Sequence, residues 1–141
     1  MLVKYKYVDA LALPPIYATK GSACFDLHSC TAIDIPARHK GLIRTGLAFE
    51  VPEGYVMLVF SRSGHAAKHS IRLSNCVGVI DSDYRGEVCV LLHNDSDTPF
   101  TVHHQDRIAQ AMILPVPEVR LELGELSDTK RGSGGFGSTG N

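Results

Sequence analysis

Short apolar runs separated by prolines, glycines and polar residues recur along the whole chain, and long helical periodicity is scarce. The runs predict strands at residues 2–8, 31–35, 41–51, 55–60, 99–102 and 107–114. In the second half of 41–51, Leu47, Phe49 and Val51 alternate and are expected on one face, whereas the continuous hydrophobicity of 55–60 predicts burial on both faces. Many short strands at fairly regular spacing predict an all-β sandwich or barrel.

One stretch, residues 77–94 (VGVIDSDYRGEVCVLLHN), predicts a β-hairpin because two runs rich in β-branched residues flank a polar break with a glycine. Asp81, Asp83, Tyr84 and Arg85 crowd into that break. Loops held by rigid strands are where binding and catalytic groups concentrate, so this set favours a functional loop. A solvated turn with incidental charges is the alternative that the loop by itself leaves open.

A polar segment follows the strand predicted at residues 55–60. It opens with Arg62, Ser63 and Gly64, and the alanines and lysine after them predict one or two helical turns. A rigid strand that ends in this tripeptide would aim backbone N–H donors and a guanidinium at one point, which suits an anion. Ordinary surface residues are the alternative reading of so short a motif.

The last segment, residues 131–141 (RGSGGFGSTGN), has Phe136 as its only large apolar residue and cannot bury enough surface to order itself. It predicts a flexible glycine-rich arm. Its composition also suits a phosphate cradle, with Arg131, Ser138 and Thr139 as donors and an aromatic ring that could stack on a base. The segment lacks the terminal lysine of a P-loop.

Length and composition describe an ordinary soluble globular protein. The 141 residues correspond to one domain, with 44% hydrophobic and 21% charged residues. The net charge of -1 predicts no broad basic face, so neither nucleic acid nor an anionic membrane is an expected partner. No apolar run approaches the roughly 18 residues that would span a bilayer.

The N-terminus and the cysteines predict an intracellular, reducing environment. Lys4, Lys6 and Asp9 come too early for a signal-peptide core. The four cysteines form no CxxC pair, and Cys76 and Cys89 lie among apolar residues, so both are expected to pack as small core side chains. Reduced thiols in a cytosolic-type compartment are the simplest interpretation.

Taken together, five segments resemble the motifs of the trimeric deoxyuridine triphosphatase (dUTPase) family, in the family's order and across almost the whole chain. The segments are residues 21–27 (GSACFDL), 62–68 (RSGHAAK), 75–86 (NCVGVIDSDYRG), 106–110 (DRIAQ) and 131–140 (RGSGGFGSTG). The third and fifth segments are highly specific.

The resemblance implies a jelly-roll-like distorted barrel over residues 1–130, with a C-terminal lid segment over 131–141. It implies a homotrimer whose active sites lie between subunits, and a reaction that converts dUTP and water to dUMP and pyrophosphate with Mg²⁺. It also implies a cytoplasmic location, or the host-cell interior or nucleus if the source is viral or eukaryotic.

The resemblance also implies roles for individual residues. Asp81 would orient and partly deprotonate the attacking water, and Tyr84 would pack against the deoxyribose and exclude a 2′-OH. Asp26 would reach Mg²⁺ through water. The implied substrate-binding residues are Arg62, Ser63, Gly64, Asn75, Ile80, Tyr84, Cys89, Gln110, Arg131, Phe136, Gly137, Ser138 and Thr139.

Within that set, the resemblance assigns each group to a part of the nucleotide. Asn75, Ile80 and Cys89 would lie at the uracil, the last two through their backbone. Residues 62–64 and Gln110 would hold the phosphates. The arm would bind the γ-phosphate end and stack its aromatic ring on uracil. Three further charged residues of these motifs are expected to be structural: Asp83, Asp106 and Arg107.

Five positions depart from the family's usual pattern, without removing a group that carries the implied chemistry. Glycine is replaced by Cys24, Ser70 and Gln105, proline by Ser61, and leucine by His65. These changes are expected to act on loop geometry and to lower activity if they act at all.

Three other interpretations stay open at this stage. Zinc could be suggested by His65 and His69, or by His103 and His104, but neither pair has a third ligand at a recognised spacing. A zinc-free dCTP deaminase shares the dUTPase fold but fits the motif set less well. A dUTP-binding regulatory protein is the third, and Asp81 argues against it because binding alone needs no base.

Overall fold

A computed structural model of the protein describes residues 1–138. Ten strands and one short helix account for the regular structure of residues 1–138. In chain order they are β1 (Lys4–Tyr7), β2 (Phe25–His28), β3 (Ile33–Ile35), β4 (Lys40–Glu50), β5 (Tyr55–Phe60), α1 (Ser63–His69), β6 (Ile71–Leu73), β7 (Val77–Ile80), β8 (Glu87–Asn94), β9 (Phe100–Val102) and β10 (Arg107–Pro115). The predicted all-β class is confirmed.

Two four-stranded antiparallel sheets form the body of the protein. Their strand orders are β1-β4-β8-β6 and β2-β10-β5-β7, and β3 and β9 form a separate two-stranded sheet. Sequential strands are often not neighbours, which is the connectivity expected of a jelly-roll-like sandwich. The predicted jelly-roll-like fold therefore fits the observed topology.

The core lies between the two large sheets and is formed by alternate side chains of their strands. In β8, for example, Val88, Val90 and Leu92 are almost completely buried, while the residues between them face outward. The partners from other strands include Leu27, Ile35, Ile43, Leu47, Met57, Ile71, Leu73 and Ile108. Each such side chain contributes about 1.5–3 kcal/mol by leaving water.

The predicted β-hairpin of residues 77–94 is wrong. β7 pairs with β5, with Ile80 opposite Met57, whereas β8 pairs with β4 and β6, with Cys89 opposite Arg44. The intervening loop therefore crosses from one sheet to the other. Two adjacent apolar runs look the same in sequence whether they pair with each other or diverge, so only the packing of the sheets separates these cases.

Two predictions about strand burial need correction. Leu47, Phe49 and Val51 are buried as expected and Glu50 is exposed, but Ala48 is buried as well, next to a bulge of β4 near Gly46, whose φ is +68°. In β5, Met57 and Val59 are buried, whereas the residues on the opposite face of the strand are half-buried. The continuous apolar run thus has one core face rather than two.

The prediction that Cys76 and Cys89 are core residues is also wrong, because both are exposed. Cys76 sits in the turn before β7 with φ +63°, and Cys89 lies on the outward face of β8 between buried valines. All four cysteines carry free thiols. An apolar neighbourhood in sequence says nothing about the face of a strand to which a side chain belongs.

Residues 116–138 follow β10 without forming a helix or strand and are largely exposed. The boundary predicted at residue 130 stays a prediction, since the last strand already ends at Pro115. Within the part of the chain that the structure describes, no helix has the length and apolar character needed to cross a membrane.

Candidate functional site

The diverging strands β7 and β8 leave a cleft between the two sheets, here called the β7–β8 cleft. Its volume is about 270 Å³. It is lined by Val79, Ile80, Asp81, Tyr84, Glu87, Val88 and Cys89. A smaller depression of about 120 Å³ shares Val79, Ile80 and Cys89 with it and extends to Asn75 and Gly78. The structure therefore brings together the predicted residues of the third motif and Cys89.

Hydrogen bonds within the loop after β7 hold its polar residues in place. The Tyr84 N–H donates to the Asp81 carbonyl (3.2 Å), and the Tyr84 hydroxyl donates to the Glu87 carbonyl (3.0 Å). Arg85 folds back and donates to the Ser82 carbonyl (2.6 Å). The Asp81 carboxylate and the Tyr84 ring consequently lie on the same rim of the cleft and are open to solvent.

Glu87 is a residue of the cleft that the sequence analysis missed. Its carboxylate accepts hydrogen bonds from the Gly46 N–H (2.8 Å) and from Arg44 Nε (3.0 Å), and Arg44 also pairs with Asp9 (3.0 Å). This network fastens the start of β8 to β4, and it opposes any collapse of the cleft. The sequence feature that could have indicated Glu87 is an acidic residue directly before the apolar run of β8.

The backbone of β8 turns an open edge toward the cleft at Cys89. Arg44 lies opposite Cys89, but its carbonyl accepts a hydrogen bond from the Cys30 N–H (3.0 Å) instead of from Cys89. The Leu91 carbonyl, two residues after Cys89, accepts a hydrogen bond from the Ser74 N–H (2.8 Å) and so also faces away from β4. Because alternate residues of a strand point their N–H and C=O groups to the same side, those of Cys89 face away from β4. β7 is the last strand of its own sheet. Both walls can therefore hydrogen-bond a planar ligand through backbone groups.

A second group of residues lies where β2, β5, α1 and β10 meet, and is here called the arginine cluster. It joins the predicted site residues Asp26, Arg62 and Gln110 to Arg107 and His65. Arg62 Nε is 3.6 Å from Asp26 Oδ1, and Arg107 Nη1 is 3.2 Å from Asp26 Oδ2. Gln110 donates to the Ser61 carbonyl (2.9 Å). Burial, followed by the neighbouring Arg107 charge, lowers the pKa of Arg62.

α1 places Ser63 and Gly64 beside the arginine cluster. The helix begins at Ser63, and Arg62 precedes it with an extended backbone (φ -90°, ψ 129°) and no side-chain cap. First-turn N–H groups have no partner within a helix, so those of Ser63 and Gly64 can donate to a ligand. Ser61, at a position where the resemblance expects proline, accepts the Leu73 N–H (2.8 Å) through its hydroxyl and fixes this corner.

The cleft and the arginine cluster lie toward opposite ends of the same strand pair. Val77 is opposite Phe60, two residues before Arg62, whereas Ile80 is opposite Met57 and leads into Asp81. The Phe60–Val77 pair and the Met57–Ile80 pair are three residues apart along the strands, which at ~3.3 Å per residue is a backbone separation of about 10 Å. One chain therefore does not bring Asp81 and Arg62 to the same point.

The residues around Asp26 do not fit a magnesium ion held by the protein. Asp26 is largely buried and its two carboxylate oxygens each face a guanidinium group, so a further cation beside it would be repelled. Within residues 1–138 there is no group of three or more His, Cys, Asp or Glu side chains placed to hold a metal. This chain places two guanidinium cations at this point rather than a cage of oxygen ligands.

The predicted C-terminal residues up to Ser138 do not line the β7–β8 cleft or the depression beside it. Arg131 Nε donates to the Gly134 carbonyl (2.8 Å), and the Ser138 N–H donates to the Gly135 carbonyl (3.0 Å), so these bonds stay within the segment. Phe136 is fully exposed. Thr139 lies outside the described residues. The structure thus gathers the arm's residues with one another but not with Asp81.

The remaining charged residues of the motifs have separate positions. Asp106 accepts the His103 N–H (2.8 Å) in the turn before β10, and Arg107 pairs with Asp26, as expected of structural residues. Asp83 points to the other side of its loop, into a larger cleft of about 540 Å³ that also contains Lys4 and Glu50.

Comparison with known proteins finds similar chains both by sequence and by fold. A sequence model of the dUTPase family matches residues 12–140. Deoxyuridine 5'-triphosphate nucleotidohydrolase of Nautilia profundicola is 51% identical over 141 residues, with 99% of each chain covered. The enzyme of that name from Rhizobium rhizogenes is 47% identical over 131 residues, with 89% of this chain and 84% of the relative covered.

The fold comparison agrees with the sequence comparison. The solved structure of Staphylococcus bacteriophage 80alpha dUTPase with dUPNHPP superposes with a TM-score of 0.89 at 27% identity, and 99% of each chain is covered.

Proposed function

The chain belongs to the dUTPase family and is a dUTP diphosphatase, and we propose that an Asp81-oriented water attacks the α-phosphorus of dUTP in its reaction. The observation that carries this proposal is the position of Asp81 and Tyr84 on one rim of a cleft with open backbone edges. The rim offers a base and a flat ring, and the walls offer donors and acceptors for a planar heterocycle.

The cleft suits a pyrimidine nucleoside. Uracil enters between β7 and β8, where the backbone groups of Ile80 and Cys89 and the Asn75 side chain meet its polar edge. Reading a base through hydrogen bonds rejects cytosine strongly, because its reversed donors and acceptors would leave buried groups unpaired. A C5 methyl is excluded only by contact, which is worth about 1–3 kcal/mol.

The sugar lies against Tyr84. Its ring is held by the bond from its hydroxyl to the Glu87 carbonyl, so it cannot easily move aside for a 2′-OH. Exclusion by packing is a steric form of specificity, and it separates dUTP from UTP. The hydroxyl of Tyr84 is already used, which leaves the ring face as its contact with the sugar.

The chemical step is a hydrolysis at phosphorus. The water oxygen forms a bond to the α-phosphorus, the bond from that phosphorus to the α,β-bridging oxygen breaks, and pyrophosphate leaves. Asp81 accepts a proton from the attacking water. General-base catalysis of this kind contributes about 10²–10⁴ to the rate. Positioning and charge neutralisation along the phosphates supply the remainder.

The groups suited to bind the phosphates lie in the arginine cluster, away from the β7–β8 cleft of the same chain. Arg62 and Gln110, together with the Ser63 and Gly64 backbone, carry the positive charge and donors that phosphates need. Because they stand away from Asp81 in one chain, the proposed site joins the cleft of one subunit to the arginine cluster of another in a homotrimer. This arrangement makes each site depend on two subunits.

The arm over residues 131–141 completes the proposed site as a lid. Arg131, Ser138 and Thr139 bind the γ-phosphate end, Gly137 allows close approach of the backbone, and Phe136 stacks on uracil. Gly137 has φ +90°, a conformation in which other residues are strained. The Phe136 ring is fully exposed, so it is free to pack against the uracil base. Closure would expel water from around the phosphates.

We expect Mg²⁺ to be held by the nucleotide's own phosphate oxygens, which suit this hard, strongly hydrated ion. The ion would neutralise phosphate charge and thereby favour in-line attack. The predicted contact of Asp26 with the ion through water is retained as a proposal only for the nucleotide-bound state, because its carboxylate faces two guanidiniums in this chain.

A panel of nucleotides tests the proposed function. Pyrophosphate release is measured for dUTP, dTTP, dCTP and UTP, with Mg²⁺ and with a chelator. We expect rapid release from dUTP alone and a slower reaction with the chelator. Ammonia release from dCTP would point instead to a deaminase. Tight dUTP binding without turnover would point to a regulatory protein that senses the nucleotide.

A further inference from the structure

His65, the residue that stands where the family resemblance expects leucine, contacts Arg62 directly. The His65 Nε2 atom is 2.7 Å from the Arg107 carbonyl oxygen and 3.3 Å from Arg62 Nη1. A carbonyl oxygen only accepts, so Nε2 carries the hydrogen and donates to it. The 3.3 Å contact then joins two donors and is a packing contact rather than a hydrogen bond.

The same carbonyl oxygen also accepts a hydrogen bond from Arg62 Nη1 at 2.8 Å. Both of its lone pairs are consequently used, one by Arg62 and one by His65. On the other side of the guanidinium, Arg62 Nε faces Asp26 Oδ1 at 3.6 Å. Arg62 Nη2 takes part in no hydrogen bond within residues 1–138, so this end of the fork is left for a ligand.

His65 is itself held against β9. The Phe100 ring meets the His65 ring edge-to-face, with a centroid distance of 5.6 Å and an interplanar angle of 84°. Phe100 also contacts His69, one helical turn later, at 5.3 Å. His69 makes no hydrogen bond to the arginine cluster among the described residues, which makes it a natural control.

We propose that His65 is a positioning residue for Arg62. The imidazole blocks rotation of the guanidinium toward α1 and shares its acceptor, so that Arg62 keeps its free Nη2 group directed out of the cluster. This inference rests on the proposed function, in which Arg62 binds the phosphates. An arginine side chain has many rotamers to lose on binding, so holding it in advance strengthens the binding of a phosphate.

The proposal separates His65 from a residue that merely attaches α1 to β10. A purely structural role would lower thermal stability and weaken all ligands alike. A positioning role would weaken only ligands with phosphates, and only while Arg62 is present. A leucine at this position could pack against Phe100 but could donate nothing to the Arg107 carbonyl.

The experiment compares His65→Leu, His65→Gln and the control His69→Leu in the full-length protein. Affinity is measured for three ligands: deoxyuridine, dUMP and a non-hydrolysable imido analogue of dUTP. We expect His65→Leu to weaken the imido analogue about 2- to 12-fold, the range for loss of one ordinary hydrogen bond, and to leave deoxyuridine unchanged. The Gln amide can donate like Nε2, so His65→Gln should recover most of the loss, and His69→Leu should show none.

A double-mutant cycle with Arg62→Ala provides the second measurement. If His65 acts through Arg62, His65→Leu weakens the analogue in the wild-type background but not in the Arg62→Ala background. Equal losses in both backgrounds, or equal losses for deoxyuridine and the analogue, would overturn the proposal. Because the cycle measures binding, it stays informative even if the panel of nucleotides shows no dUTP hydrolysis. If the enzyme hydrolyses dUTP but the affinity losses of the two substitutions simply add, the proposed role of His65 is refuted and the proposed function is not.

Discussion

The Tyr84 ring lies directly over Gly86, so that a Cβ atom added to this glycine would stand 2.6 Å from Tyr84 Cζ. Neither atom could stay there, because real Cβ contacts do not approach so closely. The absence of a side chain at Gly86 is therefore what allows the ring to reach the rim of the β7–β8 cleft.

Gly86→Ala is expected to displace the Tyr84 ring and weaken discrimination against a 2′-OH. We expect kcat/KM for dUTP to fall about tenfold or more, which corresponds to about 1.4 kcal/mol, while the ratio of dUTP to UTP turnover declines. Steady-state kinetics with both nucleotides measure this. Gly124→Ala, at a glycine with open space around it, should leave both rates unchanged. An unaltered ratio in Gly86→Ala would refute the assigned role of the ring.

Complementation tests whether each site joins two subunits. Asp81→Asn should bind dUTP but lose most turnover, since general-base catalysis contributes about 10²–10⁴, and Arg62→Ala should lose phosphate affinity. In mixed trimers, an intact Asp81 from one variant can meet an intact Arg62 from the other. Co-expression of the two variants should thus restore a measurable fraction of activity, whereas either variant alone remains poor. Activity no higher than the sum of the separate variants would place both residues in one chain's site.

Deletion of residues 131–141 is expected to leave a folded protein that hydrolyses dUTP poorly. The hydrogen bonds found for Arg131 and Ser138 stay within the segment, so the fold loses little. Circular dichroism and the thermal midpoint should match those of the full-length chain, while kcat/KM falls at least tenfold as the lid is lost. Normal cleavage by the truncated protein would remove the lid from the mechanism.

Ser70→Gly and Gln105→Gly are each expected to stabilise the protein by about 0.5–1 kcal/mol. Both residues have positive φ, 56° and 71°, a region that costs residues with a Cβ and suits glycine. Denaturant midpoints measure the change. Ala67→Gly in α1 is the matched control, and it should destabilise by up to about 1 kcal/mol because a helix interior favours alanine. A loss of stability in both glycine variants would contradict the argument.

His28 should make stability depend on pH. It is buried beside Asp26 and Arg107, its Nδ1 has no hydrogen-bond partner among residues 1–138, and burial lowers its pKa below the ordinary 6.5. The unfolded chain therefore binds a proton more readily, so stability is complete above pH 6.5 and declines as pH falls below it. The urea midpoint of unfolding is measured above and below pH 6.5, and the difference between the two midpoints should be smaller in His28→Gln than in the wild type. The exposed-residue control, His103→Gln, should retain the wild-type slope.

Local sequence patterns were enough to predict the class of fold and to nominate most of the candidate site residues. Alternation of apolar and polar positions has the period of a strand, and prolines and glycines mark the turns, so these local signals predicted short strands and one or two helical turns in the segment that forms α1. The resemblance to the dUTPase family, also read from local motifs, identified Asp81 and Tyr84 before their geometry was known.

Tertiary structure decided which strands are partners and which residues meet. β7 and β8 look like a hairpin in sequence but belong to different sheets, and the cleft exists because they diverge. Cys89 faces outward and His65 reaches the Arg107 carbonyl, 42 residues away in sequence. Pairing and facing depend on how two sheets bury their apolar sides against each other, and that choice involves residues far apart along the chain. Local pattern specifies the strands, and long-range packing specifies the site between them.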